Sequence, residues 1–163
     1  GFVSTVERVL SDTNLQPSLL ELELTESIFI EDEDEIRSVL DALTAMGVRL
    51  AIDDFGTKYA SLLYIKNFPI HRLKIDKSFI DQLCVQDGTG KIVSAIIAMG
   101  RSLNCDVIAE GVETAEQLDF LRDRDCFHIQ GFLCSPPVPA DQMESLIGEK
   151  SGIVVEEWIT HEG

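Results

Sequence analysis

Basic residues are scarce in this sequence: 13 Lys and Arg stand against 29 Asp and Glu, and the formal net charge is −16. A surface of this sign repels nucleic-acid backbones and anionic membranes unless charge is arranged locally. We therefore expect no nucleic-acid polymer as a partner and no membrane contact by this segment. Part of the excess is a run of five acids, Glu31 to Glu35, which suits the start of a helix.

Long apolar runs and paired cysteines are also lacking. No run approaches the roughly 20 apolar residues that cross a bilayer. The cysteines form no close pair and no metal-ligand spacing, which is typical of small buried residues in a reducing compartment; they are Cys84, Cys105, Cys126 and Cys134. The cytoplasm is the expected location, with any membrane anchor of the parent protein placed in other domains.

No Gly-x-Gly-x-x-Gly or Walker sequence follows an apolar segment, which disfavours the common nucleotide-binding sheets. The 163 residues instead alternate short apolar runs with amphipathic stretches. Five runs are predicted as strands: Leu20–Leu24, Arg49–Asp53, Arg72–Ile75, Asp106–Ala109 and His128–Phe132. Such alternation predicts a parallel sheet, either doubly wound or closed into a barrel.

Helical periodicity fills the intervals between these strands. The predicted helices are Phe2–Leu10, Ile36–Met46 with Gly47 as C-cap, Ile92–Leu103, one opened by a capping box from Thr114 to Gln117, and Ala140–Ile147. A (β/α)8 barrel fits best, but it typically needs about 250 residues. We predict an α/β fold, a modified (β/α)8 TIM-like barrel that is incomplete here because its N-terminal strands are missing. Residues 1–147 would form this portion of the barrel, and residues 148–163 a tail, either a linker or an added edge strand.

Acidic side chains recur along the first two predicted strands. Strand geometry sends Glu21, Glu23 and Thr25 to one face, which a barrel interior and a surface sheet edge explain equally well. The second strand ends in Asp53 and Asp54, whose mutual repulsion a divalent cation would relieve. Taken alone, that pair is slightly more often explained by turn-forming aspartates before a glycine.

Three later strands favour a functional interpretation. Lys74 takes an inward position in the third strand and must be paired or functional there. Glu110 ends the fourth strand, and Gln130 takes the corresponding place in the fifth. The C-terminal strand ends of a barrel form its active-site face. Carboxylate oxygens suit magnesium, manganese or calcium, and two such ions about 3.5–4 Å apart clamp the oxygens of a phosphoester during hydrolysis.

Together these segments resemble the EAL family of cyclic di-GMP phosphodiesterases. The matching motifs occur in family order: Glu23–Glu26, Asp53–Thr57, Leu73–Phe79, Ala109–Thr114 and Gln130–Gly131. The resemblance implies a modified (β/α)8 barrel that opens cyclic di-GMP to linear pGpG using Mg2+ or Mn2+ in a two-metal site, incomplete in this chain. It also implies sensor or GGDEF domains fused in the parent. Because a barrel that lacks strands has open sheet edges, we expect a homodimer or swapped oligomer of this chain.

The same resemblance assigns roles to individual residues. The implied metal ligands are Glu23, Asp53, Asp54 and Glu110. Lys74 and Glu110 would be catalytic, with Lys74 positioning the attacking water and stabilising charge on the phosphate. The residues implied to bind substrate or support the site are Glu26, Glu113 and Gln130. Glu26 resembles the residue that anchors the loop after Asp54.

The sequence also departs from the family pattern. The Glu-Ala-Leu signature and the Asn-containing strand after it are absent, so two metal ligands and a phosphate-holding arginine would be missing. Lys58 and Ala60 stand where the family usually has glycine and serine, and a proline of Ser135–Pro137 stands where arginine is common. We expect hydrolysis of cyclic di-GMP by the parent domain, with the fragment alone inactive. The alternative is a non-catalytic cyclic di-GMP receptor or protein-interaction module with a degenerate barrel.

Overall fold

Five parallel strands lie side by side in the order in which they occur in the chain. The computed structural model describes residues 1–25, 28, 33–57, 66–83 and 88–143. The strands are β1 Glu21–Thr25, β2 Arg49–Phe55, β3 Arg72–Ile75, β4 Asp106–Glu110 and β5 His128–Gln130. Each pairs in parallel with the next strand in the sequence. Parallel neighbours need long crossover connections, and helices occupy them.

The helices lie where the apolar periodicity predicts them, except for a short helix at Lys77–Asp81. They are α1 Phe2–Thr13, α2 Glu33–Ala45, α3 Lys77–Asp81, α4 Thr89–Ser102 and α5 Ala115–Arg122, with a 3-10 turn at Pro17–Leu19. Thr114 caps α5, because its hydroxyl accepts a hydrogen bond from the Gln117 backbone N–H while the Gln117 side chain accepts one from the Thr114 N–H. This is the predicted capping box.

The predicted α/β fold is confirmed, with differences at the ends of elements. Strand β5 stops at Gln130, two residues before the predicted end at Phe132, because the chain turns back over Val112. A Cβ at Gly131 would lie 2.1 Å from the Val112 carbonyl oxygen, so only glycine allows this approach. The sequence pattern does not predict α3, since five residues carry little helical periodicity. Of the last predicted helix, residues 140–143 are helical and the remainder, with the tail 148–163, lies outside the described residues.

Alternation along the strands gives the sheet one apolar face and one charged face. The apolar face packs under the helices through six buried strand residues: Leu50, Ile52, Leu73, Ile75, Val107 and Ala109. The helices cover it with Leu40, Leu43, Val93, Ile97 and Leu121. The charged face carries two layers, one at the amino ends of the strands and one at their carboxyl ends. The sheet therefore holds its charged groups on the side away from the helices.

The amino-end layer is an ion-pair network formed by the first residue of each of four strands, Glu21, Arg49, Arg72 and Asp106. Arg49 Nε lies 3.3 Å from Glu21 Oε2, and Arg49 Nη2 lies 2.7 Å from Asp106 Oδ2. Arg72 Nη1 lies 3.0 Å from Glu21 Oε1. We call this set the amino-end network. The sequence patterns used above do not predict this network. Its signal is nevertheless visible in the sequence, because four strands each begin with a charged residue and the positive and negative charges balance.

The cysteines follow the expectation of burial in part. Cys105 and Cys126 are buried, Cys134 is half-buried, and Cys84 lies outside the described residues. Burial raises the pKa of the Cys126 thiol to about 11, despite the opposing influence of Arg101. None of the described helices has the length and apolar character that spanning a membrane requires.

Candidate functional site

The carboxyl-end layer of charge converges on Lys74 of β3. Its Nζ lies 2.6 Å from Glu23 Oε1, 2.9 Å from Asp53 Oδ1 and 2.8 Å from Glu110 Oε1. Strands β1, β2 and β4 each contribute one of these carboxylates. The Lys74 side chain is only 9% exposed, and lysine is rarely buried so far without partners. These four residues are called the Lys74 cluster below.

Strand register brings the Lys74 cluster onto one face. In β4, Ile108 is the partner of Lys74, and Glu110 lies two residues further along. Glu23 in turn is the partner of Ala51 in β2, and Asp53 lies two residues beyond Ala51. Because side chains two apart in a strand share a face, the period-two alternation alone aligns these groups. Glu23 therefore faces the buried lysine, although β1 is an edge strand of the described sheet and the Glu23 side chain is 50% exposed.

The adjacent aspartates have different surroundings because β2 is irregular at this point. The pairing register of β2 with β3 shifts between Ile52 and Phe55, and Asp54 has a left-handed φ of +53°. Aspartate tolerates this conformation better than most residues. Asp53 consequently faces Lys74, while Asp54 is exposed and its carbonyl accepts hydrogen bonds from the Thr57 backbone N–H and hydroxyl. Asp54 therefore takes part in a turn, and Asp53 belongs to the cluster.

The carboxylates of the cluster favour the protonated, positively charged form of Lys74. Burial alone would lower the pKa of the Lys74 ammonium, but its contacts with Glu110, Glu23 and Asp53 outweigh burial and hold that pKa above its usual range. One ammonium then faces three carboxyl groups. Asp53 Oδ1 is also buried without a hydrogen-bond donor among the described residues. Its 2.9 Å contact with the Lys74 ammonium is an ion pair.

These observations bear on whether the site suits a metal ion. Carboxylate oxygens are the ligands that magnesium and manganese prefer. Asp53 Oδ1, which accepts no hydrogen bond among the described residues, has lone pairs available for a cation besides its ion pair with Lys74. In the described ranges, however, no three acidic, histidine or cysteine side chains are grouped so that they could hold one ion. The three carboxylates of the cluster surround the Lys74 ammonium, and they do not converge on a position that one metal ion could occupy. The donor chemistry fits a hard divalent cation, and the described ligand set is partial.

The remaining predicted site residues lie around the cluster. Glu113 Oε1 lies 2.6 Å from Lys77 Nζ and does not contact Lys74. Gln130 is the strand partner of Glu110 and is exposed. Glu26, the predicted loop anchor, lies outside the described residues. So do Lys58 and Ala60, the two departures from the family pattern. The roles assigned to all these residues stay predictions. The sequence motifs assign no role to Lys77, although a second lysine three residues after Lys74 is a visible signal.

Comparison with known proteins identifies the family to which this sequence is similar. A family model described as EAL domain matches residues 1–137. The signaling protein YkoW of Bacillus subtilis is 47% identical over 148 residues, which cover 91% of this chain and 18% of the relative. The bifunctional diguanylate cyclase/cyclic di-GMP phosphodiesterase MucR of Pseudomonas aeruginosa is 48% identical over 143 residues, which cover 88% of this chain and 21% of MucR. The chain thus spans about a fifth of the length of these curated relatives.

Solved structures agree with this match. The MucR phosphodiesterase in complex with c-di-GMP superposes with a TM-score of 0.84 and 48% identity, covering 88% of this chain and 58% of that chain. A manganese and cyclic di-GMP complex of BlrP1 from Klebsiella pneumoniae gives a TM-score of 0.76 and 33% identity, covering 83% of this chain and 34% of that chain. The predicted fold therefore agrees with the structures of its neighbours.

Proposed function

We propose, because this chain belongs to the EAL domain family, that its parent protein hydrolyses one phosphodiester bond of cyclic di-GMP and releases linear pGpG. The observation that carries this proposal is the Lys74 cluster, in which four adjacent strands direct one buried ammonium and three carboxylates to the same place. A barrel enzyme gathers its reacting groups at the carboxyl ends of its strands in this way. The named activity of MucR and its complex with c-di-GMP support the choice of substrate.

The reaction is metal-dependent in this proposal, with Mg2+ or Mn2+ held by Glu23, Asp53, Asp54 and Glu110. Support comes from the hard carboxylate donors, from Asp53 Oδ1, which accepts no hydrogen bond among the described residues, and from the manganese complex of BlrP1. When bound, such ions polarise a phosphate and lower the pKa of a bound water. The further ligands come from the part of the EAL domain that carries the Glu-Ala-Leu signature.

The residues of this chain contribute charge and position. The Lys74 ammonium, fixed from three sides, is available to neutralise charge that develops on a phosphate oxygen. It does so without reorganisation, because its carboxylate partners already hold it on the strand. Glu110, 17% exposed and beside Lys74, can orient the attacking water by accepting its hydrogen bond. Gln130, beside Glu110 on the edge strand, would contact the nucleotide.

The biological setting is part of the same proposal. The curated relatives are several times longer than this chain, so we place the chain in a parent protein that also carries sensor or GGDEF domains. Buried, unpaired Cys105 and Cys126 support a reducing compartment, and the cytoplasm is the location we propose.

The decisive assay uses the full-length protein with Mn2+ and follows conversion of cyclic di-GMP to pGpG by chromatography. Lys74→Met and Asp53→Asn should each lower turnover by roughly 10²–10³-fold, as the loss of a charge-stabilising group does elsewhere. Arg8→Met is the matched control, because Arg8 lies in an exposed pair with Asp12 on α1. A wild-type protein that leaves cyclic di-GMP intact with manganese present would refute the proposal.

The alternative function is a receptor that binds cyclic di-GMP without cleaving it. The substitutions at Lys58 and Ala60, which follow β2 in the sequence, favour it. Retention of Lys74 with all three of its carboxylate partners speaks against it, since binding alone has less need of such a cluster. Calorimetry on the same full-length protein separates the two functions: tight binding without pGpG formation would establish the receptor.

A further inference from the structure

The loop that joins β4 to α5, residues Gly111 to Thr114, is held by its neighbours on two sides. Gln117 Oε1 accepts hydrogen bonds from the Glu113 and Thr114 backbone N–H groups at 2.8 and 3.0 Å. Gln117 Nε2 donates to the Ile80 carbonyl of α3 at 3.1 Å. On the other side the Val112 N–H donates to the Gln130 carbonyl at 3.0 Å. The backbone of this loop is therefore fixed against α3, α5 and β5.

Lys77, the first residue of α3, contacts the same loop twice. Its side-chain stem lies over Gly111, where an added Cβ would be 2.3 Å from Lys77 Cγ, and Gly111 has a φ of +72°. Its Nζ lies 2.6 Å from Glu113 Oε1 and 2.9 Å from Asp81 Oδ1. The stem thus touches the start of the loop, and the ammonium binds the carboxylate two residues later.

This contact joins two of the four strand ends that form the Lys74 cluster, those of β3 and β4. Gly111 is bonded directly to Glu110, whose carboxylate lies 2.8 Å from the Lys74 ammonium. Lys77 follows Lys74 by three residues, and Asp76 between them caps α3 through the Ser78 N–H. Movement of Lys77 would therefore be transmitted to β4 through Gly111 and to Glu113 through the ion pair.

We propose that Lys77 is a positioning residue for the hydrolysis of cyclic di-GMP, holding Glu113 and the backbone that follows Glu110 in place. This inference rests on the proposed function of the Lys74 cluster. Lys77 does not contact the cluster, so it acts through Gly111 and Glu113. An exposed ion pair on its own contributes little to the free energy of unfolding. Loss of the Lys77 contacts should therefore lower turnover while leaving stability nearly unchanged, and a purely structural role would not give that result.

Three substitutions at Lys77 separate its two contacts with the loop, the one with Gly111 and the one with Glu113. Lys77→Met keeps an unbranched stem over Gly111 but removes the charge that binds Glu113. Lys77→Ala removes both contacts, and Lys77→Arg keeps both. Arg8→Met again serves as control, since it removes an ion pair whose side chains are 67% and 65% exposed on a distant helix.

In the full-length protein with Mn2+, Lys77→Ala should lower kcat roughly tenfold, the size of effect seen when a supporting partner of a site residue is lost. KM should stay within about twofold, because positioning of reacting groups acts on the transition state. Lys77→Met should fall between wild type and Lys77→Ala, and Lys77→Arg should restore turnover. Adding Glu113→Gln to Lys77→Met should cause no further loss, since the two residues act as one pair.

Amide hydrogen exchange of residues 111–114 gives a second readout that needs no catalysis. Exchange should be faster in Lys77→Ala than in Arg8→Met or wild type, while the melting temperature changes little. Unchanged exchange and unchanged kcat in Lys77→Ala would overturn the inference. A wild-type protein without hydrolysis would instead overturn the proposed function and with it the catalytic part of the inference, and faster exchange in Lys77→Ala would then show that the contact itself is real.

Discussion

His71 connects the amino-end network to the backbone of the sheet. Its Nδ1 accepts a hydrogen bond of 3.1 Å from the Leu50 N–H, and it lies among Arg49, Glu21 and Asp106. Burial, and then the charge of Arg49, lowers the pKa of His71, although the two carboxylates oppose this. An imidazole that accepts at Nδ1 cannot carry a proton there. The folded chain therefore resists protonation at this residue.

This gives a pH prediction with a definite sign. The unfolded chain binds a proton at His71 near the usual pKa of about 6.5, while the folded chain, whose His71 pKa is lowered, binds it only at lower pH. Stability from this residue is complete above that pH and decreases as pH falls below it. His71→Asn, whose side-chain oxygen can accept from the Leu50 N–H without titrating, should flatten the slope of unfolding free energy between about pH 7.5 and pH 5.5. Urea denaturation at several pH values measures it, and equal slopes in both proteins would contradict the prediction.

Gly100 in α4 is required by contact with β4. An added Cβ would lie 2.2 Å from Val107 Cγ2 and 3.5 Å from the Cys105 carbonyl oxygen. Gly100→Ala gains about 1 kcal/mol of helix propensity, but overpacking against a stiff, buried valine costs about 1–3 kcal/mol. We expect net destabilisation in urea denaturation. In the double variant Gly100→Ala, Val107→Ala the loss should be smaller than the sum of the single losses by at least about 0.5 kcal/mol; additive losses would show that the contact is not the cause.

At the scale of elements, Gln117 is the residue that fastens α5 and its preceding loop to α3. It is 7% exposed, and its amide both accepts from the loop and donates to the Ile80 carbonyl. Gln117→Glu keeps an oxygen that can accept from the loop N–H groups. It replaces the Nε2 donor by a carboxylate oxygen, which the Ile80 carbonyl oxygen repels. We expect a loss of about 2–3 kcal/mol.

Thr114→Ala provides the comparison, because it removes only the cap hydroxyl and should cost about 1 kcal/mol. Thermal or urea unfolding of both variants tests the order of the two losses. A smaller loss for Gln117→Glu than for Thr114→Ala would mean that the bond to Ile80 contributes little.

The elements also show what the sequence could predict. Period-two alternation is enough to predict β3, whose predicted and observed bounds agree. It is also enough to place Lys74 on the charged face of the sheet. Apolar spacing suffices for the longer helices. The register shift at Asp53 and Asp54 depends on how β2 pairs with β3 and leaves no trace in either strand alone. The amino-end network likewise needs four strands aligned at their starts, so no single segment predicts it.

The same limit applies to the site. The sequence motifs predict that Glu23, Asp53, Lys74 and Glu110 lie together, and the structure brings these four residues together. Lys77 contacts Glu113 because α3 lies against the loop after β4, and this packing is invisible in a one-dimensional pattern. The metal ligands and the roles of Asp54 and Gln130 stay predictions.

At the scale of the whole molecule, the sheet of the isolated chain should associate. In the described part, β1 and β5 are each bonded to one neighbouring strand only. Phe127 and Phe132, which flank β5, are 63% and 64% exposed. Open strand edges beside apolar side chains favour pairing, element swapping or aggregation. We expect the purified 163-residue chain to exceed the 18.1 kDa of one copy in light scattering and to hydrolyse little or no cyclic di-GMP.

Charged side chains beside the open edge test this prediction. Phe127→Lys with Phe132→Lys should shift the isolated chain toward the monomer, because charge disfavours edge pairing. A monomeric wild-type chain would contradict the association, and measurable pGpG formation by that chain would contradict its inactivity.

The order of the strands has a consequence for how the chain is made. Since β1 to β5 are neighbours in space in the order in which they are synthesised, each strand after β1 leaves the ribosome when the strand it pairs with has already been made. No described strand has to wait for a later one to fill a gap between its neighbours, unlike the strands of a sheet that is wound in both directions. Growth of this sheet is therefore vectorial, and a pause in translation between two strands would leave a shorter sheet with the same pairing and not a wrongly ordered one.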